Sequence, residues 1–381
     1  MLGLIERLLR LQEVYSFSHT NVFETICLDR QLHLQFLQHN TKQPLQYTHY
    51  LFSTCNLTSI TISDKMDKTA VHQSYHRIIS YCASAQRLSS KCCDSLRYHL
   101  YTIYVTCSDD METLLASFLF GAINSFIAPQ FSMGPALSVT DLLLRAPFML
   151  LWCISNLFLF CLHNQNHPEA IVEDARNKPW RPLASGRLTP AEATRILYLT
   201  HPLCFVTALS FGGFVPCVMF TLFHIWYNEF GASSNGILKN VLNGIGITLF
   251  FAGPLEVATK NSIFAGHGQA AIWLLILAIA FASTSHTQDF RDIEGDAASG
   301  RKTIPLMIGS MNARVCVLLA VFGWTELASR FWQVGLAHRL LPYLAGSALV
   351  GNLFLDKSHK GDVRAWKLWS LWALSLFVLP L

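Results

Sequence analysis

Charge is scarce in this chain of 381 residues: Asp, Glu, Lys and Arg make up 14% of it, against roughly 25% in a soluble globular protein. With 52% hydrophobic residues and a mean hydropathy of +0.34, that deficit points to a membrane. The net charge of +4 is too small and too scattered to make a nucleic-acid surface. Only 21 residues are glycine, which excludes a collagen-like chain, and the 11 cysteines lack both disulfide-scaffold density and zinc-site spacing. Aromatic and aliphatic content excludes disorder of the whole chain.

What charge there is divides the chain. Residues 1–110 carry Arg and Lys from Arg7 to Arg97 and a similar number of acids, with no apolar run near the roughly 18 residues a spanning helix needs. They read as a polar cytosolic extension, partly disordered or surface-helical. Its first twelve residues are amphipathic and interrupted by Glu6, Arg7 and Arg10, unlike a secretory signal. The Asn56-Leu57-Thr58 sequon would stay unmodified on the cytosolic side.

Residues 111–381 alternate apolar blocks with short polar loops and predict an all-α membrane bundle of about nine spans. These fall near 113–130, 142–162, 193–211, 213–227, 238–257, 269–285, 314–332, 338–355 and 365–380. Gly212-Gly213 suits a tight turn between the third and fourth. If the front part lies on side one, that side's loops hold Arg176, Lys178, Arg181, Arg187, Arg195, Lys239, Arg291, Arg301, Lys302, Arg314, Lys357, Lys360, Arg364 and Lys367. The other side keeps Arg145, Lys260, Arg330 and Arg339. Positive loops stay inside, so the basic side faces the cytosol.

Two loops on that side carry chemistry. In Gln288-Asp289-Phe290-Arg291-Asp292-Ile293-Glu294-Gly295-Asp296, the acids at 289, 292 and 296 would share one face of a continuing helix. Clustered carboxylates repel unless cations neutralise them, and hard oxygens hold Mg²⁺ well when phosphates complete its shell. The second loop runs from Asn164 to Arg187. On a helix Asn166 and Asp174 share a face, and Glu169 and Glu173 are an i,i+4 pair. Lys178, Arg181 and Arg187 suit phosphate oxygens, and Pro179 and Pro182 would fix that basic turn. Each loop alone also reads as an ordinary solvated, charge-balanced connection. Four spans separate them, so both lie on one side, as a site for an isoprenoid diphosphate with its tail among the helices would require.

At these residues the sequence resembles the UbiA-type membrane prenyltransferase superfamily, with a first motif NDxxDxxxD leading to RPxxSG and a second DxxDxxxD leading to KTxP. Asp289, Asp292, Asp296, Lys302 and Pro305 fit the second motif, Arg181-Pro182 and Ser185-Gly186 the end of the first. Tyr227-Asn228 and Lys239-Asn240 resemble the family's middle cytosolic loop. In the first motif His167 and Ala170 stand where the family has two Asp residues, and only Asn166 and Asp174 match; Glu173 or Glu169 would supply a missing oxygen. This variant, with Arg97-Tyr98 through Ser108-Asp109 ahead of the first span, resembles a fungal branch that includes membrane-bound sesquiterpene cyclases.

The resemblance implies an endoplasmic-reticulum enzyme that cyclises a linear isoprenoid diphosphate, farnesyl diphosphate first among them, by Mg²⁺-assisted loss of pyrophosphate. Asp174, Asn166, Asp289, Asp292 and Asp296 would be catalytic. Asn166, Glu173, Asp174 and the three later Asp residues would hold metal, and Lys178, Arg181, Arg187, Arg291 and Lys302 the diphosphate. The alternatives are a prenyltransferase with an aromatic or other acceptor and, from another class, a transporter using Glu256 or the Glu326/Arg330 pair. Trp366, Trp369 and Trp372 read as a packing or interfacial stripe.

Overall fold

The computed structural model describes residues 48–50, 59–61, 68–298 and 300–381. The amphipathic start and the sequon lie outside them. The chain divides into two compact units, Met1–Cys93 and Asp94–Leu381, whereas composition changes near residue 110. Composition registers where apolar runs begin; packing begins earlier, at the polar end of a helix. In the first unit strand β1, Thr48–Tyr50, pairs antiparallel with β2, Ser59–Thr61, a small exception to the helical pattern. Helix α1, Lys68–Cys107, runs from the first unit into the second.

The second unit is helical. It contains α2 (Met111–Ser125), α3 (Val139–Gln165), α4 (Pro168–Asn177), α5 (Pro190–Phe211), α6 (Phe214–Glu229), α7 (Gly236–Thr259) and α8 (Gln269–Thr284). A 3₁₀ segment, Ser285–Asp292, leads to two short helices, α9 (Ile293–Ala298) and α10 (Ile304–Ile308). The long helices α11 (Ser310–Phe331), α12 (Leu336–Leu355) and α13 (His359–Leu376) close the bundle. Among the described residues four helical stretches are long and apolar enough to cross a membrane: Val139–Gln165, Gly236–Thr259, Gln269–Ala297 and Ser310–Phe331.

Local chemistry explains the boundaries that carry the site. Pro168 at N1 of α4 lacks an N–H and starts a new helix, so Asn166 caps α3 and His167 precedes α4. Asn166 and Asp174 therefore do not share one helix, as their spacing suggested. Thr189 and Glu192 form a reciprocal capping box at the start of α5. Asn235 caps α7 by accepting from the N–H groups of Ile237 and Leu238 at 3.1 Å. Gly212 and Gly213, at φ 110° and 77°, make the tight α5–α6 turn that their pairing predicted.

Helix α7 sits at the centre and packs against α2, α3, α6 and α8. One apolar core joins α2, α7, α8, α11, α12 and α13 around Phe120, Phe251, Trp273, Phe281 and Trp372; the other joins α2, α3, α5, α6 and α7 around Trp152, Leu162 and Phe250. Trp152 fits against Gly253, where an added Cβ would overlap its ring. Trp369 and Trp372 are buried and donate to Thr284 and Thr325 at 2.9 Å, so these two members of the tryptophan stripe serve packing.

Candidate active site

The second acidic loop follows α8 on a 3₁₀ turn and then on α9, not on one continuing α-helix. The change of helix type separates the three carboxylates. Asp289 and Asp296 are buried, while Asp292 is exposed and pairs with Arg291 at 3.2 Å. Asp289 Oδ1 accepts from Lys239 Nζ at 2.7 Å; its Oδ2 is buried with no hydrogen-bond partner among the described residues. Lys239 rises from the first turn of α7 and also lies within electrostatic reach of Asp296.

The first loop is built around Arg181. Its Nη1 donates to both oxygens of Asp174, at 3.1 and 3.0 Å, and its Nε donates to Asp109 at 2.8 Å. Lys178 Nζ lies 3.6 Å from the same Asp109 oxygen. Burial works against the Arg181 charge, but Asp174 and Asp109 outweigh it and hold its pKa above the ordinary arginine value. Asn166 donates to Thr194 at 3.2 Å, and its Oδ1 is buried with no hydrogen-bond partner among the described residues.

One side chain joins the two loops. Arg301 reaches Glu173 on α4 at 3.0 Å and Asp296 on α9 at 3.4 Å. Here too burial opposes the charge, and Glu173 and Asp296 more than offset it. Tyr227, at the end of α6, lies within electrostatic reach of Lys239, Asp289, Arg301 and Asp110, groups drawn from both sides. Asn240 Oδ1, one residue beyond Lys239, is also buried with no hydrogen-bond partner among the described residues.

Three expected diphosphate ligands are disposed differently. Arg187 is turned onto α1: it donates to Thr102 Oγ1 at 2.7 Å and the Tyr98 carbonyl at 2.8 Å, and its guanidinium lies 4.1 Å from the Tyr98 ring centroid. Arg291 is taken up by Asp292. Lys302 is exposed, while its carbonyl accepts from Gly236 N at 3.0 Å, which ties the end of the second motif to the start of α7. Sequence reasoning missed Asp109, Lys239 and Arg301 as site residues. A lone lysine opening an otherwise apolar span, and the Asp109-Asp110 doublet ahead of another, were the available signals.

The donor set fits Mg²⁺, which prefers hard oxygens and binds through one or two carboxylates plus phosphates rather than an all-protein cage. Asp174, Asp289 and Asp296 offer carboxylates, and the uncommitted Asp289 Oδ2, Asn166 Oδ1 and Asn240 Oδ1 offer further oxygens. Among the described residues no group of three or more His, Cys, Asp and Glu side chains makes a metal cage by itself.

Apolar helices long enough to cross a bilayer, ending in buried acid–base loops, define an integral membrane protein of the helical-bundle class. The chain belongs to the UbiA prenyltransferase family, whose pattern matches residues 134–373. It is 32% identical over 239 residues to the fumagillin beta-trans-bergamotene synthase of Aspergillus fumigatus, covering 61% of this chain and 78% of that one. It is 30% identical over 247 residues to a polyprenyl transferase of Hericium erinaceus, covering 62% and 80%. A UbiA homolog from Archaeoglobus fulgidus, solved bound to GPP and Mg²⁺, shares the fold with a TM-score of 0.50 at 13% identity, over 73% of this chain and 99% of that one. Both the family and the likeness to a fungal terpene synthase agree with what the motifs imply.

Proposed function

We propose that the protein is a membrane-bound terpene cyclase that converts farnesyl diphosphate, or a related linear isoprenoid diphosphate, to a cyclic terpene with loss of pyrophosphate. The observation that carries this reading is Arg301, which joins Glu173 of one acidic loop to Asp296 of the other and so makes them one polar site at the end of an apolar bundle. The bergamotene synthase among its relatives supports cyclisation as the outcome.

In this reading Asp174, Asp289 and Asp296, with Asn166, Glu173 and, on the exposed rim, Asp292, would hold Mg²⁺ beside the diphosphate. Bound Mg²⁺ would draw off the charge that develops on the departing pyrophosphate. Arg181 and Lys178 share that charge directly, and Lys239 keeps the Asp289 carboxylate oriented. Departure of the pyrophosphate leaves an allylic cation among apolar helices. Excluding water there favours attack by the substrate's own distal double bond over hydrolysis. The same reading has all nine predicted spans crossing the endoplasmic-reticulum membrane, with both loops facing the cytosol.

A second reading is an acceptor-dependent prenyltransferase, favoured by the similar identity to a polyprenyl transferase. A transport path is disfavoured: Glu326 is engaged by Arg330, Arg339 and Tyr343, and Glu256 accepts from the Ile263 N–H at 2.9 Å. Gas chromatography of products made by expressing microsomes from farnesyl diphosphate and Mg²⁺ separates the two enzymes. A cyclase releases a cyclic hydrocarbon with no acceptor present; absence of any, with prenylated acceptor forming instead, would favour the transferase.

A further inference from the structure

The segment Tyr98–Asp110 precedes the residues matched by the family pattern, which begin at 134, yet it is bonded along its length to the first acidic loop. Tyr98 Oη donates to the Arg187 carbonyl at 2.7 Å, and Arg187 returns bonds to the Tyr98 carbonyl and Thr102 Oγ1. Gln165 at the end of α3 donates to the Thr106 carbonyl at 2.9 Å, and Cys161 donates to Asp110 at 3.4 Å. The brace ends at Asp109, whose Oδ2 accepts from Arg181 Nε at 2.8 Å and lies 3.6 Å from Lys178 Nζ.

The consequence lies in the geometry of the Arg181 guanidinium. Asp174 holds Nη1 and Asp109 holds Nε, so the plane is fixed from two directions, and Nη2 makes no hydrogen bond among the described residues. A guanidinium pinned on two edges presents its remaining edge to an anion without the freedom to rotate away. Were Asp109 absent, Asp174 alone could draw the fork into a symmetric pair through both terminal nitrogens, and Lys178 would lose its nearby carboxylate.

Resting on the diphosphate reading above, we infer that Asp109 is a positioning residue for the diphosphate end of the substrate. It orients Arg181 and Lys178 from outside the family motif, on a chain whose first motif has His167 and Ala170 in place of two carboxylates.

The test uses the full-length protein in nanodiscs with Mg²⁺ and inorganic pyrophosphate as probe, measured by calorimetry, beside steady-state kinetics with farnesyl diphosphate. Asp109→Asn should weaken pyrophosphate binding and raise KM by about tenfold, the size expected on losing one charge-assisted anchor, with kcat changed less than about threefold. Asp109→Glu, which keeps the charge, should recover most of the binding. Should Asp109→Asn not fold, the double variant Asp109→Asn/Lys178→Met removes the stranded lysine and is compared with Lys178→Met alone, than which it should bind pyrophosphate more weakly. Equal pyrophosphate affinity in wild type and the Asn variants, or a fall in kcat at constant KM, would overturn the inference alone. Failure of wild type to bind Mg²⁺-pyrophosphate at all would overturn the diphosphate reading beneath it.

Discussion

Asp289→Asn probes the buried end of the site and separates folding from chemistry. The carboxylate is 2% exposed and the lysine that donates to it is 15% exposed, at 2.7 Å. At an effective dielectric constant of about 20 the attraction at that distance is about 6 kcal/mol, most of which desolvation of the two ions cancels. Removing one partner of such a pair and leaving the other charge buried costs about 3–5 kcal/mol; Asp296, also acting on Lys239, puts the expected loss at the lower end. A loss of that size lowers the melting temperature by about 5 °C or more. Turnover should fall by about 10²–10³, the loss typical when one preorganised charge-stabilising group is removed from a reacting centre. The double variant Asp289→Asn/Lys239→Met removes the stranded charge, so it should regain stability but not turnover. Pyrophosphate release and detergent-phase melting measure the two quantities. Melting as wild type together with turnover within about threefold of wild type would refute the reasoning.

Three further outcomes follow from packing and charge. Asp362→Ala strands the buried Arg314, which donates to Asp362 at 2.8 and 3.0 Å and to the Leu353 carbonyl, so melting should report a loss of about 3–5 kcal/mol. Gly253→Ala drives a methyl group into the Trp152 ring and should cost about 1–3 kcal/mol, read as a lower melting temperature, with Gly351→Ala, at a glycine with open space around it, as the mild control. Burial raises the Asp110 carboxyl above its usual value of 3.8. The folded state therefore binds that proton more readily than the unfolded one, and this contribution to stability is complete below the ordinary pKa and lost as pH rises through the raised one. Asp110→Asn should accordingly melt higher than wild type at neutral pH, with the gap closing as pH falls towards about 4; a gap that widens on acidification would reverse the sign.

Much of the candidate site is legible in the sequence because its acids and bases sit in continuous motifs. The run Asp289–Asp296 and the turn Lys178–Arg187 announce acid and base at fixed spacing, and topology alone put them on one side. Local rules failed where an adjacent residue changed the helix. Pro168 divides Asn166 from Asp174, and the 3₁₀ turn Ser285–Asp292 leaves Asp292 exposed while burying Asp289. Partners distant in sequence were out of reach: Lys239 meets Asp289 fifty residues on, and Arg301 meets Glu173 across 128. Arg187 is the converse case: its motif position suggests phosphate, while Tyr98, Tyr101 and Thr102 engage it on α1.

The most direct measurement is pyrophosphate release from farnesyl diphosphate by expressing microsomes with no acceptor added, for wild type and for Asp174→Asn and Asp289→Asn, in Mg²⁺ and in EDTA. The account predicts release by wild type in Mg²⁺, none in EDTA until Mg²⁺ is restored, and a loss of at least about a hundredfold in each variant. Release that persists in EDTA, or that both variants sustain near the wild-type rate, would contradict a metal-bridged diphosphate held between the two acidic loops.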